Sequence, residues 1–290
     1  MKEFSYERPE SLKEAFQVLS AGGSEVEILA GGTDLVIAMR DRYSQPKVVV
    51  DIKRIAELFP SIVWDGNTVT LSATATMSEV VGDEGINTYF PALVEAAVVV
   101  GSVQIRNRAT VLGNICNGSP AADTAPPLLA YDAIIVVAGP DGTRRIAIDN
   151  FIVGPGQTDL REGEIAIAAE ISAPTRMTGS AYERMTRRRG TDLASVTLCA
   201  TVDEAGVTQI AYGSVGPRAW LKRDETGVLA DPAASAEAKA AVYEEIFADA
   251  SPSVRSLRAS PDYRRAMLRV LGARAVGRAI ERLQEVQGVS

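Results

Sequence analysis

Apolar residues at the start of the chain recur at helical spacing. Leu12, Ala15, Phe16 and Leu19 share one helical face behind Ser11-Leu12-Lys13-Glu14, which has the form of a capping box, and Gly22-Gly23 ends the run. "EVEILA" then predicts a strand, "DLVIAMRDR" a helix and "KVVVDI" a second strand, a β-turn-α-β unit that calls for a small, partly parallel sheet. Period-two alternation takes over in "IVWDGNTVTLSA", a hairpin turning at Asp65-Gly66-Asn67, and again in "AIIVVAGPDGTRRIAI", turning at Pro140-Asp141-Gly142-Thr143. Between the hairpins, "MSEVVGDEG" is a short helical stretch and "PALVEAAVVVG" a longer helix closed by Gly101. "EIAIAAEISAP" is a closing strand, followed by a linker at Pro174–Gly179. Beyond it, "SAYERMTRR", "ASVTLCATVD" and "VTQIAYGSVG" predict three strands. Helices fill most of 233–285, the last with Ser260 as N-cap and Pro261 at its first position. Strands first and helices last make this a separate α+β unit.

Residues 101–130, "GSVQIRNRATVLGNICNGSPAADTAPPLLA", fit neither period until "PPLLA". Loops of that length without regular structure are usually functional or disordered, and this one is too apolar for disorder.

Composition narrows the chemistry. The chain has 290 residues, 46 % of them hydrophobic, enough for two or three cores. It shows no transmembrane-length apolar run and no signal-like N-terminus in "MKEFSYERPE", so a cytoplasmic location is the expectation. A formal charge of -7 argues against nucleic-acid binding. The one basic cluster, "RMTRRRG", is either a phosphate contact or a solvated strand end. With no histidine at all, Ser-His-Asp and Cys-His arrangements and histidine-ligated metals are excluded. Cys116 and Cys199 are too few for an iron–sulfur cluster and are expected to be buried thiols.

Two bare stretches remain. Gly31-Gly32 lies at a strand-to-helix switch, and Gly113-Asn114 lies in the long loop. Amides unscreened by side chains can donate to phosphate oxygens, with added attraction at a helix N-terminus. Two such loops could bracket the phosphates of a dinucleotide, with Asp123 accepting from a sugar hydroxyl. Glycines that merely serve tight turns are the other reading, and neither spacing is diagnostic alone.

Taken together, "ILAGGTDL" and "QIRNRATVLGN…SPAADTAPPLLA" resemble the FAD-binding (medium) subunit of the molybdenum hydroxylases, the family of xanthine dehydrogenase and aerobic carbon monoxide dehydrogenase. "AYERMTRRRGTDLASV" and "SPDYRRAMLRVLGARAV" extend the resemblance over the whole length. It implies an α+β fold: a two-subdomain FAD-binding domain of the vanillyl-alcohol oxidase (PCMH) type over 1–176, with subdomains of about 1–56 and 57–176. A C-terminal domain of antiparallel sheet plus helices, like that of carbon monoxide dehydrogenase flavoproteins, would cover 177–290.

Carried over by position, the resemblance assigns cofactor contacts to Ile28, Leu29, Ala30, Gly31, Gly32, Thr33, Asp34 and Leu35 on one side of the FAD pyrophosphate. Thr110, Val111, Leu112, Gly113 and Asn114 take the other side. Asp123 would meet the ribose or ribitol, Val100 line the pocket, Ile167 lie against the isoalloxazine and Arg184 stand near the flavin. Core packing for Ile167 and a surface role for Arg184 are the alternatives. The family often has "TIGGN" where this chain has "TVLGN", so Leu112 either bends the loop or turns its side chain toward the cofactor. Asp34, an anion beside an anion site, is expected to cap the helix and point away.

The implied activity is that of an oxidoreductase subunit that supplies no catalytic residue or metal ligand of its own. A large molybdopterin subunit and a small subunit with [2Fe–2S] clusters would be its partners, in a heterotrimer or a doubled one. Electrons would leave through FAD to NAD+, oxygen or a quinone. A stand-alone FAD oxidase and a non-enzymatic nucleotide-binding scaffold are the competing classes. Two cysteines do not support the branch whose flavin subunit carries a further cluster.

Overall fold

The computed structural model describes residues 1–288 and contains three principal sheets. The first region runs β1 (Ser5–Glu7), α1 (Leu12–Gly22), β2 (Val26–Leu29), α2 (Leu35–Arg40) and β3 (Val48–Asp51). β1 and β2 both pair with β3 in parallel, so the carboxyl ends of β2 and β3 lie side by side at Leu29 and Asp51. Ser11 caps α1 as expected, accepting from the Glu14 N–H at 3.2 Å. Glu14, however, reaches past the cap to the Glu10 N–H at 2.9 Å, so the box does not close on Ser11.

The second region contains β4 (Ile62–Asp65), β5 (Thr68–Ser72), α3 (Met77–Gly82), α4 (Glu84–Tyr89), α5 (Pro91–Val98), α6 (Val103–Arg106), α7 (Val111–Cys116), α8 (Ala125–Ala130), β6 (Ile134–Gly139) and β7 (Gly142–Ala147). It continues through α9 (Ile148–Phe151), the small pair β8 (Ile152–Gly154) and β9 (Gln157–Thr158), and β10 (Ile165–Ser172). β4, β5, β10, β6 and β7 form one antiparallel sheet in that order. Both expected hairpins are present. The stretch 101–130 is not irregular: three helices of four to six residues segment it, each too short to show a period.

The third region is a meander of β11 (Thr178–Met185), β12 (Val196–Asp203), β13 (Thr208–Gly213) and β14 (Trp220–Asp224), followed by α10 (Ala236–Ile246) and α11 (Pro261–Gln287). Leu268, Leu271, Ala275, Val276, Ala279 and Leu283 recur at helical spacing on α11 and are buried against the sheet. Gly179 lets the helix come close, because a β-carbon there would lie 1.9 Å from the Ala279 carbonyl oxygen.

Packing on both faces explains why "VTLCATV" is buried at every position. Val196, Leu198, Ala200 and Val202 face the α11 side, whereas Cys199 and its register partner Ala211 join the core of the second region. Helices α5 and α8 pack on that other face. The C-terminal sheet is therefore buried on both sides, which welds it to the region before it. Among the described residues, no helix is long and apolar enough to cross a membrane.

Candidate functional site

The turn after β2 is built from residues 30–34, and protein main chain packs against it at Gly31. A β-carbon on Gly31 would lie 2.1 Å from the Arg108 carbonyl oxygen and 3.0 Å from Ala109 Cα. Gly31 is thus bare because the two glycine-bearing segments touch there. Gly32 has φ +78°, a conformation costly for residues with a β-carbon, and turns the chain into α2. Among the described residues, none of the N–H groups of Gly31, Gly32, Thr33, Asp34 and Leu35 donates to a protein acceptor. The α2 ladder begins with Val36 N–H on Gly32 O. Successive amides without protein acceptors at a strand-to-helix switch are available to donate to an anion. Asp34 occupies the N-cap position without a side-chain capping bond, contrary to expectation, and burial raises its carboxyl above the usual range.

Across the contact, Ala109 and Val111 are tied to the start of α3. Met77 N–H donates to Ala109 O at 2.9 Å and Val111 N–H to Ala75 O at 3.1 Å. Thr110 caps α7 by accepting from Gly113 N–H at 3.1 Å, and Asn114 N–H donates to Thr110 O, so both of those amides are engaged within the chain. Val111 and Leu112 bury their side chains in the core, Leu112 at 2 % exposure. The leucine in "TVLGN" therefore points inward, and only its main chain faces the loop.

Asn114 and Asp123 are linked through Thr124, whose hydroxyl donates to Asn114 Oδ1 at 2.6 Å. Asp123 is 8 % exposed. It accepts from the Tyr182 hydroxyl at 2.6 Å and pairs with Arg184 Nη1 at 3.3 Å. Burial raises the Asp123 carboxyl above its ordinary value against the opposing pull of Tyr182 and Arg184, while burial and the neighbouring carboxylate push Tyr182 well above the ordinary phenol value. Arg184 is consequently not a free surface residue but the partner of Asp123. Ile167 is the extra residue of a β-bulge in β10, opposite β6, and is half-buried against the core of the second region. Val100 lies further along, just after α5, with its carbonyl accepting from Arg106 at 3.2 Å.

The structure thus joins the turn at 30–34 to the segment 108–114, and that segment through Thr124 to Asp123 and Arg184. Four residues had no assigned role in the sequence reading: Tyr182, Thr124, and the pair Asp51 and Lys53 below the first turn. Thr124 reaches Asn114 across 10 positions, Lys53 reaches Ala30 across 23, Asp51 reaches Tyr6 across 45 and Tyr182 reaches Asp123 across 59, and no local pattern marks them. The arginines 187–189 are exposed, with Arg187 paired to Asp192 at 3.1 Å, a solvated strand end. Cys199 is buried and Cys116 half-buried. Both are free thiols, and burial raises Cys116 to about 12. Among the described residues no cluster of potential metal ligands occurs.

The residues fit a dinucleotide: a row of amides without protein acceptors for a diphosphate, and the buried Asp123 carboxylate, already held by Tyr182 and Arg184, as an acceptor for a hydroxyl. Comparison with known proteins identifies the family. A family model described as "FAD binding domain in molybdopterin dehydrogenase" matches residues 2–174, and one described as "CO dehydrogenase flavoprotein C-terminal domain" matches 180–279. The carbon monoxide dehydrogenase medium chain of Hydrogenophaga pseudoflava is 32 % identical over 95 % of this chain and 96 % of its own. A putative xanthine dehydrogenase FAD-binding subunit of Escherichia coli K12 is 28 % identical over the same shares. The solved carbon monoxide dehydrogenase from Hydrogenophaga pseudoflava superposes with a TM-score of 0.89, covering 97 % of this chain and 98 % of that one. With family matches spanning most of its length, the chain belongs to the FAD-binding subunits of the molybdenum hydroxylases.

Proposed function

We propose that this subunit carries electrons from partner-held [2Fe–2S] clusters, by way of its FAD, to a terminal acceptor: NAD+, oxygen or a quinone. The observation that carries the reading is the row of amides from Gly31 to Leu35, without protein acceptors and packed against the segment leading into α7. In this reading the main chain of Ile28–Leu35 and of Thr110–Asn114 brackets the diphosphate, although the Gly113 and Asn114 amides would have to leave Thr110 to contribute. Asp123 meets the ribose or ribitol, Val100 lines the pocket, Ile167 lies against the isoalloxazine, and Arg184 fixes Asp123 from the C-terminal sheet. Residues 1–176 serve as the FAD-binding unit and 177–290 as the unit that closes over it.

FAD, when bound, accepts electrons singly or in pairs and so links one-electron donors to a two-electron acceptor. The chain's own part is to bind and orient the ring and to shield it from water. No histidine is available as a base, which disfavours a self-sufficient oxidase. A large molybdopterin subunit and a small iron–sulfur subunit complete the assembly.

Isolation of the native complex tests this. Molybdenum, iron, FAD and two further polypeptides are expected to accompany the chain. A yellow single polypeptide reduced directly by a substrate would overturn the reading in favour of an oxidase, and a colourless one in favour of a scaffold.

A further inference from the structure

Directly beneath the turn at 30–34 lies a charged cluster that none of the preceding roles employs. Asp51 ends β3 and is 2 % exposed. Its carboxylate accepts from the Tyr6 hydroxyl and from the Lys53 N–H at 3.0 Å, lies 2.6 Å from Lys53 Nζ and has Arg8 Nε at 3.9 Å. Lys53 Nζ also donates to the Ala30 carbonyl at 3.0 Å.

We propose that Lys53 is a positioning residue for diphosphate binding: braced on Asp51, its ammonium pins the Ala30 carbonyl and so aims the Gly31 N–H, and the amides after it, at the ligand. The inference rests on the FAD reading of the site. A trans peptide is planar, with C=O and the following N–H pointing in opposite directions. Holding the Ala30 oxygen toward Lys53 therefore turns the Gly31 N–H the other way.

Some such anchor is required. The β2–β3 ladder ends at the Leu29–Asp51 pair, so Ala30 has no strand partner, and its carbonyl accepts from no other group among the described residues. The next two residues are glycines, whose backbone freedom would otherwise let the peptide plane rotate. Arg108 restrains the turn by contact on one side, and Lys53 does so by a directed bond on another. Lys53 is itself held rather than free, since Asp51 is fixed by Tyr6 and by the Lys53 main chain. A plain ion pair between Lys53 and Asp51 would need no contact with Ala30.

The test uses the full-length chain stripped of flavin, with binding of FAD, ADP and riboflavin measured by calorimetry or flavin fluorescence. Lys53→Met is expected to weaken FAD and ADP, which carry a diphosphate, by about tenfold or more, the usual worth of a charged hydrogen bond. Riboflavin, which lacks phosphate, is expected to bind the variant and the parent alike. Lys53→Arg, which keeps a charged donor, is expected to recover most of the loss. Equal weakening of riboflavin, or unchanged ADP and FAD binding, would overturn the positioning role. If Lys53→Met does not fold, Tyr6→Phe loosens Asp51 from the half-exposed side of the cluster. Its expected result is a smaller loss with the same selectivity for phosphate-bearing ligands, and no such selectivity counts against the proposal. Failure of the parent chain to take up FAD would instead overturn the function proposed above.

Discussion

Gly31→Ala gives the sharpest test of how the site is assembled. The added carbon would sit 2.1 Å from the Arg108 carbonyl oxygen, 2.8 Å from the Arg108 carbonyl carbon and 3.0 Å from Ala109 Cα. Ordinary contact begins near 3.4 Å, so the segments must part by 3.4 − 2.1 = 1.3 Å. Neither side yields easily. Residues 109–111 are tied to Ala75 and Met77 by two main-chain bonds, and Ala30 is held by Lys53. Overpacking of this kind costs about 1–3 kcal/mol. For a region of this size each kcal/mol lowers the melting temperature by roughly 2–4 °C, giving a fall of roughly 2–12 °C. FAD affinity is expected to drop about tenfold or more, because the amide row moves with the turn. Gly32→Ala provides the contrast. Its nearest obstacle is the flexible end of Leu29, at 2.7 Å, and the main cost is the left-handed backbone, about 1–2 kcal/mol. Thermal unfolding of the flavin-free chain and FAD titration read both effects. A Gly31→Ala chain with parental melting temperature and affinity would refute the contact between the two segments.

Further outcomes follow from the same contacts. Glu95 on α5 accepts from the Tyr182 N–H at 2.8 Å, from Arg282 at 2.6 Å and from Arg278, so Glu95→Ala is expected to cost about 1–3 kcal/mol. It should also speed proteolysis near Pro174–Met177, and unchanged cleavage would mean that Glu95 does not hold β11 against α5. Leu112→Ala is expected to lose about 2–5 kcal/mol of stability by leaving a cavity, with a smaller effect on FAD than Gly31→Ala. A larger effect on FAD than on stability would mean the side chain faces the ligand after all. For Asp51, burial raises the carboxyl, but hydrogen bonds from Lys53 and Tyr6 outweigh it and leave the pKa below the ordinary value. A depressed carboxyl stabilises the fold above its unfolded pKa of about 3.9 and loses that contribution as pH falls through the lower folded value. Asp51→Asn is accordingly expected to flatten the acid limb of the melting curve, and an unaltered limb would count against it.

How much of this was legible in the sequence depended on range. Elements longer than about one turn of pattern stood out, including α11 with its Ser260 cap and Pro261, because periodicity and capping are local. β1 and β14 were missed: one is three exposed residues, "SYE", and the other, "WLKRD", carries three charges. The helices inside 101–130 are too short to show a period, so that segment read as a loop. At the site, the glycines were visible but the reason for Gly31 was not, because it depends on Arg108, 77 positions away (108 − 31). Lys53, Tyr182 and Glu95 act through partners brought near by sheet pairing and helix packing, and no single-residue pattern encodes that.

The Asp123–Arg184 pair ties the C-terminal sheet to the proposed cofactor site. β11 brings Tyr182 and Arg184 onto a carboxylate that burial already disfavours, so the charge at Asp123 depends on a side chain from the other unit. A carboxyl with a raised folded pKa stabilises the fold below its unfolded value, and that contribution is lost as pH rises through the folded value. Removing the guanidinium in Arg184→Met takes away one of the two pulls that oppose burial, so the folded pKa rises further and the loss on ionisation deepens. The difference in melting temperature between parent and Arg184→Met is therefore expected to widen as pH is raised over about pH 4 to 8. Adding Asp123→Asn, which cannot ionise, is expected to abolish the widening while leaving any constant packing loss in place. A difference that stays level across the range would mean that Arg184 serves Asp123 only as a steric neighbour, and the electrostatic coupling of the two units would have to be abandoned.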